Sequence, residues 1–487
     1  MKNKTIRTLL AIALAVSFGL SAAACMQTAS ADTGTAVTTV DAQIQTTEEM
    51  KNSTGGEHVI TADGTTAEYS NVSVTKTGDS SKNDEADFYG DNAAIFATNG
   101  ATLTLSGMVI TTNGTHANAV FSYGKGTTVN ISNSAIETTG NCSGGLMTTG
   151  GGTMNATDLT VHTTGNSSAA IRSDRGGGTV TVTGGTYSTD GTGSPAIYST
   201  ADITVNNATL ASTASEGVVI EGKNSVTLNN VTLKADHNIL NSKNSTNYNG
   251  VMIYQSMSGD ADVGTASFTM KDGSFTNANG DVFFVNNTVA NISLENVSIS
   301  NKDANGVFLR AAAAGWGTDG SNGGKVNLTL TNQKVYGDIV VDKVSGLNMY
   351  MASGSVFEGA LNTANAGEVY VKIEKGSTWT LTGDSYVTSL TCEAGCINLN
   401  GYKLYVNGKE YTEGTASEGE AIVFKTESSS SSSQSGDNGN GAPDGQQGGQ
   451  PPELPNGEKP SGNPPDGNGG PGGDGSAPPA KPDENSN

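Results

Sequence analysis

Between Asp91 and Leu330, apolar and polar positions alternate in a short pattern that returns nine times. Each copy opens on a small residue, then a branched aliphatic, then a large residue. The copies are Ala94-Ile95-Phe96, Ala119-Val120-Phe121, Gly145-Leu146-Met147, Ala170-Ile171-Arg172, Ala196-Ile197-Tyr198, Gly217-Val218-Val219, Gly250-Val251-Met252, Asp281-Val282-Phe283 and Gly306-Val307-Phe308. The aliphatic positions lie 25, 26, 25, 26, 21, 33, 31 and 25 residues apart. A second alternating stretch follows most copies, as in Leu103-Thr104-Leu105, Val129-Asn130-Ile131 and Val180-Thr181-Val182, and five residues later comes another apolar position (Ile110, Ile136, Tyr187).

Alternation of period two predicts strands with one buried face. Three short strands in each repeat, recurring at near-fixed spacing, predict one coil of a stacked solenoid. No single coil has enough apolar surface to fold alone, so its strands must pair with the coils above and below. Asn133, Asp158, Gly184, Asn207, Asn230, Asp272 and Asn296 fall at the corner between second and third strands. A left-handed backbone there favours Gly, Asn or Asp.

The repeat resembles the right-handed parallel β-helix of the pectin-lyase-like superfamily. The fold expected is therefore all-β, a right-handed single-stranded parallel β-helix, with the handedness carried over from the resemblance. The stretch Ser377 to Leu390, with Ile397-Asn398-Leu399 soon after, resembles the closing rungs of autotransporter adhesin passengers. That likeness implies a bacterial adhesin-like surface protein.

The ends differ from the middle. Residues 1–31 read as an export signal, with Lys2, Lys4 and Arg7 ahead of the apolar run Leu9 to Leu20. Ala22-Ala23-Ala24-Cys25 resembles a bacterial lipoprotein box, which would end the signal at Ala24 and lipidate Cys25. Ala29-Ser30-Ala31 resembles an ordinary peptidase site, and both processing routes stay open. Residues 32–55 read as a polar stalk with a short helix near Asp41 to Asn52, residues 56–426 as the β-helix, and residues 427–487 as a disordered tail. The tail holds 11 of the 12 prolines and nine acidic residues against Lys459 and Lys481, and has little to bury. Such a chain is expected outside the cell or on the surface of a bacterium, with membrane contact only through a lipid at Cys25. A net charge of −22 argues against nucleic acid and anionic lipid as partners.

Candidate chemistry follows from the alternation. With Ile95 pointing inward, the next residue points outward. The outward column then reads Phe96, Phe121, Met147, Arg172, Tyr198, Val219, Met252, Phe283 and Phe308, joined by Tyr123 and Tyr254 two residues further along their strands. Coils stack at about 4.8 Å, so the column would form a ribbon on the order of 40 Å long. An exposed ribbon of rings would bind a polysaccharide or host glycan, or a surface protein. The competing reading has it covered by the N-terminal segment, by a second protomer, or by two insertions. One insertion, between Tyr254 and Ser267, carries Asp260 and Asp262; the other, between Arg310 and Lys325, carries Trp316, a further candidate contact.

Catalytic signals are sparse. Arg172, Asp174 and Arg175 are the compact charged group that a lyase or hydrolase of acidic polysaccharide would use, and they read equally as a corner salt bridge. The Asp-pair, His and Arg-x-Lys signature of polygalacturonases is missing. Asp84, Glu85, Asp87 and Asp91 offer hard oxygen donors without calcium-loop spacing. The spacing of Cys25, Cys142, Cys392, Cys396 and the four histidines suggests no zinc set. Cys392 and Cys396 are placed to close a small disulfide loop in an exported protein. The expectation is a surface-associated binding protein or adhesin without cofactor or metal, the alternatives being that enzyme or a structural surface fibre.

Overall fold

A computed structural model describes residues 44–424, so the export signal, Cys25 and the tail lie outside the described residues. The chain winds as a parallel β-helix. Three strands form in each regular coil, and each pairs with its counterpart one coil away. Strands from Ile60–Asp63 to Ile339–Val341 make an 11-stranded parallel sheet, the first face. The second and third faces make one 21-stranded sheet, because Ser225–Ala235 and Thr265–Asn277 run unbroken through the corner between them.

Register makes residues twenty-odd positions apart into neighbours. On the first face Ile60, Ile95, Val120, Leu146, Ile171, Ile197, Val218 and Val251 pair in turn and point into the core. Leu103, Val129, Met154 and Val180 do the same on the second face, and Ile110, Ile136, Val161 and Tyr187 on the third. Burying each such side chain contributes about 1.5–3 kcal/mol. The corner residues behave as their types require. Asn133, Asp158, Asn207, Asn230, Asp272 and Asn296 have φ between 48° and 58°, and Gly184 has φ 72°.

A second corner uses a Thr-x-Gly-x-x-Ser motif that the alternation does not reveal. Thr138, Thr163 and Thr189 point inward and donate to the carbonyls of Ser143, Ser168 and Ser194. Those serines donate to the carbonyls of Gly114, Gly140 and Gly165 one coil back, at 2.8, 3.0 and 2.8 Å. The buried polar groups at this corner satisfy one another.

The ends correct the stalk boundary. Glu48–Asn52, expected in a polar stalk or short helix, is a strand pairing in parallel with Val72–Lys76. Its charged residues cover the open edge of the third face. At the other end Val406-Asn407-Gly408-Lys409 turns back antiparallel, with φ of 47° and 74° at the Asn-Gly pair. Cys392 and Cys396 are free thiols, not a disulfide. Cys392 instead lies 3.9 Å from the Tyr411 hydroxyl, and burial pushes its thiol up.

Candidate functional site

The outward column of the first face exists and is in register. Phe96 pairs with Phe121, then Met147, Arg172, Tyr198, Val219 and Met252. Two members are corrected. Val251 pairs with Phe283 and Met252 with Phe284, so Phe283 points into the core and Phe284 continues the column. Phe283 next pairs with Leu309, and Phe308 packs inside at 5.6 Å from the Phe283 ring. Asp281–Asn286 and Gly306–Leu309 hold consecutive apolar residues, so alternation gives them no phase, and pairing with the preceding coil sets it instead.

The column is not a solvent-facing ladder. Phe121 and Met147 are 0 % exposed, Met252 2 %, Tyr198 8 % and Tyr254 0 %. Three segments roof it. Helix α1 (Asn83–Tyr89) lies over the first coils, with Tyr89 edge-on to Tyr123 at 5.7 Å and Thr149 Oγ1 donating to the Phe88 carbonyl at 2.6 Å. Phe96 and Tyr123 stay half-buried at its margin, and Phe96 stacks on His58 at 4.6 Å. Seven residues are too few for a helix to persist alone, so tertiary contacts hold α1 in place. The two expected insertions, 255–264 and 312–324, cover the later coils. Trp316 is 3 % exposed and packs against Tyr254 at 5.0 Å. A further insertion, 236–248, lies at the corner where other coils carry the Thr-x-Gly-x-x-Ser motif, and leaves Ile239, Leu240 and Tyr248 exposed.

A polar seam runs under the roof where the column changes from apolar to charged. Arg172 donates to Asp174 at 2.8 Å and lies 3.9 Å from Asp87 on α1. Arg175 reaches Asp260 of the first insertion at 2.6 Å, and its guanidinium sits 4.0 Å over the Phe88 ring. Asp87 accepts from His116 Nδ1 at 2.8 Å, and the donor atoms of Asp87, His116 and Cys142 lie within 4.8 Å of one another. Further along, Glu221 Oε2 accepts from Tyr198 at 2.5 Å and from Tyr254 at 2.9 Å, while Ser256 donates to Oε1. Glu221 sits two residues after Val219, in the same column as Tyr123 and Tyr254, and that offset could have found it in the sequence. Asp87 carries no such signal, because it lies outside the repeat.

Burial decides the protonation of this seam. Three carboxylates, Asp87, Asp174 and Asp260, face the two guanidiniums of Arg172 and Arg175, while Glu221 is held by hydroxyls alone. Burial, with Asp260 and Asp87 adding to it, pushes Asp174 up to about 6 despite the Arg172 ion pair. Burial likewise raises Glu221 against its three hydroxyl donors. Both folded values lie above the unfolded ones. The stability they contribute is therefore present in full below the unfolded pKa and lost as pH rises through the folded pKa. Melting at pH 5 is expected above that at pH 7.5, with a contribution from Asp174 on the order of 1 kcal/mol over that interval. Differential scanning fluorimetry of wild type and Asp174→Asn checks this, since the variant should lose most of the difference.

Beside the seam lies an open cleft of about 440 Å³ between the two insertions, lined among others by Gln255, Ser256, Met257, Asn287, Thr318 and Lys325. Its walls join apolar Met257 and Val263 to amide, hydroxyl and ammonium groups. Gln255 is buried, and its Oε1 has no hydrogen-bond partner among the described residues. The cleft opens at the corner where the second face begins. On that face hydroxyls and amides stand in outward register, as in Thr181, Thr204, Thr227, Thr269 and Ser293. The Asn348, Asn327 and Asn291 amides form a hydrogen-bonded ladder beside them, at 2.9 and 3.0 Å. No protein-family model matches this chain, and no match was found among curated proteins or solved structures.

Proposed function

We propose that this is an exported surface β-helix that binds a glycan in the cleft between its two roof insertions, the chain running on across the second face. The reading also takes from the resemblance a right-handed winding, kinship with pectin-lyase-like β-helices and an adhesin-like setting, with the ends of the chain spacing the solenoid from the cell. The observation that carries it is the cleft. Its volume falls within the range of small-ligand sites, and it pairs apolar surface with converging polar groups. A sugar has both kinds of surface, its apolar ring faces and its hydroxyls matching the apolar and polar walls of the cleft. The −22 charge favours a neutral or cationic glycan over an acidic one. Arg172 and Asp174, the pair a lyase would use, have side chains 6 % exposed and lie beneath the roof, out of reach of a polymer.

Pull-down on insoluble polysaccharides and glycan-array binding test the reading. Met257→Arg with Thr318→Arg places bulk and charge at two exposed positions on the cleft wall, away from the core. Affinity should fall at least about tenfold, a loss of roughly 1.4 kcal/mol, with the circular dichroism unchanged. Thr204→Arg on the second face should weaken long glycans more than short ones. Undiminished binding by the cleft variant would sink the proposal.

A further inference from the structure

We infer that Asp87, His116 and Cys142 form a binding site for a divalent d-block cation, with zinc(II) the ion that best suits a carboxylate, an imidazole and a thiolate together. Their donor atoms come from three places in the fold. Asp87 lies on α1, and His116 and Cys142 lie at the same corner of successive coils. All three fall within 4.8 Å of one another. Four-coordinate zinc holds N, O and S donors at about 2.0–2.3 Å, which places neighbouring ligand atoms roughly 3.5 Å apart. Side-chain rotation closes a gap of that size.

The local backbone gives an independent reason to single out these residues. His116 and Cys142 have φ of 56° and 54°. Later coils fill the same position with Ser167 and Gly193. A left-handed backbone tolerates His but is an uncommon place for Cys when Gly or Asn would serve. The turn alone therefore does not favour the thiol stacked on the imidazole there.

Charge balances as well. Carboxylate and thiolate neutralise a dication, while Arg172 is matched by Asp174 at 2.8 Å. Cys142 is only partly buried, which gives an ion a path in from solvent, whereas Asp87 and His116 are buried. Zinc has no redox chemistry of its own, which suits a thiol in an exported protein. Three protein ligands leave a fourth position for water or another ligand. An ion held there would tie α1 to two coils of the solenoid.

Cobalt(II) titration of the full chain carrying Cys25→Ser, Cys392→Ser and Cys396→Ser reads the site directly. One equivalent should bind with a thiolate-to-cobalt charge-transfer band and strong four-coordinate d–d absorption, and zinc should displace it. Zinc should also raise the melting temperature, because the bridging ion binds only the folded chain. Cys142→Ser should abolish the charge-transfer band and weaken zinc binding at least about 100-fold; Asp87→Asn should keep the band and weaken binding at least about tenfold. Absence of the band in the parent chain, or its persistence after Cys142→Ser, overturns the proposal. The parent retains all three ligands, so its result stands even where a variant fails to fold.

Discussion

Arg172→Leu is expected to destabilise the protein by about 3–5 kcal/mol, because it leaves buried carboxylates without their guanidinium. Arg172 is 5 % exposed and serves both Asp174, at 2.8 Å, and Asp87, at 3.9 Å. Leu would fill much of the volume, so lost packing is a minor part of the effect. Chemical denaturation at pH 7.5 measures the loss. Two rescues separate charge from shape. Asp174→Asn in the Arg172→Leu background should recover part of the stability. Lowering the pH to 5 should recover a similar part in the single variant, since Asp174, already raised to about 6 beside Arg172, is pushed higher once that guanidinium is gone and is protonated at pH 5. A variant equally unstable at both pH values would show that packing dominates. Hydrogen exchange should place the loosening in α1 and the first insertion, the elements tied together through this seam.

Gly165→Ala is expected to cost at least about 3 kcal/mol, although it adds one methyl group. A Cβ at Gly165 would lie 1.9 Å from the Gly140 carbonyl oxygen and 2.5 Å from its carbon. Gly140 and Gly191 face the same geometry, at 2.0 Å from the Gly114 oxygen and 1.8 Å from the Gly165 oxygen. The obstacle is backbone, so no rotamer change relieves it and successive coils must move apart. That separation would break the Ser168 and Ser194 bonds to the Gly140 and Gly165 carbonyls. A coil touches only its neighbours, so protection should be lost around residues 140–194 while distant coils stay intact. Thermal melting gives the size of the effect and hydrogen exchange its location. A melting temperature near wild type would show that the glycine column is incidental.

Much of this architecture can be read in the chain before any coordinates. Alternation assigned Ile95, Val120, Leu146 and Ile171 to the interior, and φ > 0 at Asn133, Asp158 and Asn230 matches the turn chemistry that marked them. The repeat period alone stacked Phe96, Phe121, Met147, Arg172 and Tyr198 into one column. It failed at Phe283 and Phe308, where unbroken apolar runs leave the two faces of the strand indistinguishable until a neighbouring strand sets the register.

Where apolar and polar positions alternate, the sequence by itself determined which side of a strand a residue takes, since a strand places successive side chains on opposite sides and a solenoid repeats that choice from coil to coil. It could not determine whether the outer side meets water. That depended on α1 and the insertions 255–264 and 312–324, which obey no period and whose resting place follows from contacts far away in the chain. Tertiary structure alone buried Tyr198 and Tyr254 around Glu221, opened a cleft beside them, and brought Asp87 to His116 and Cys142.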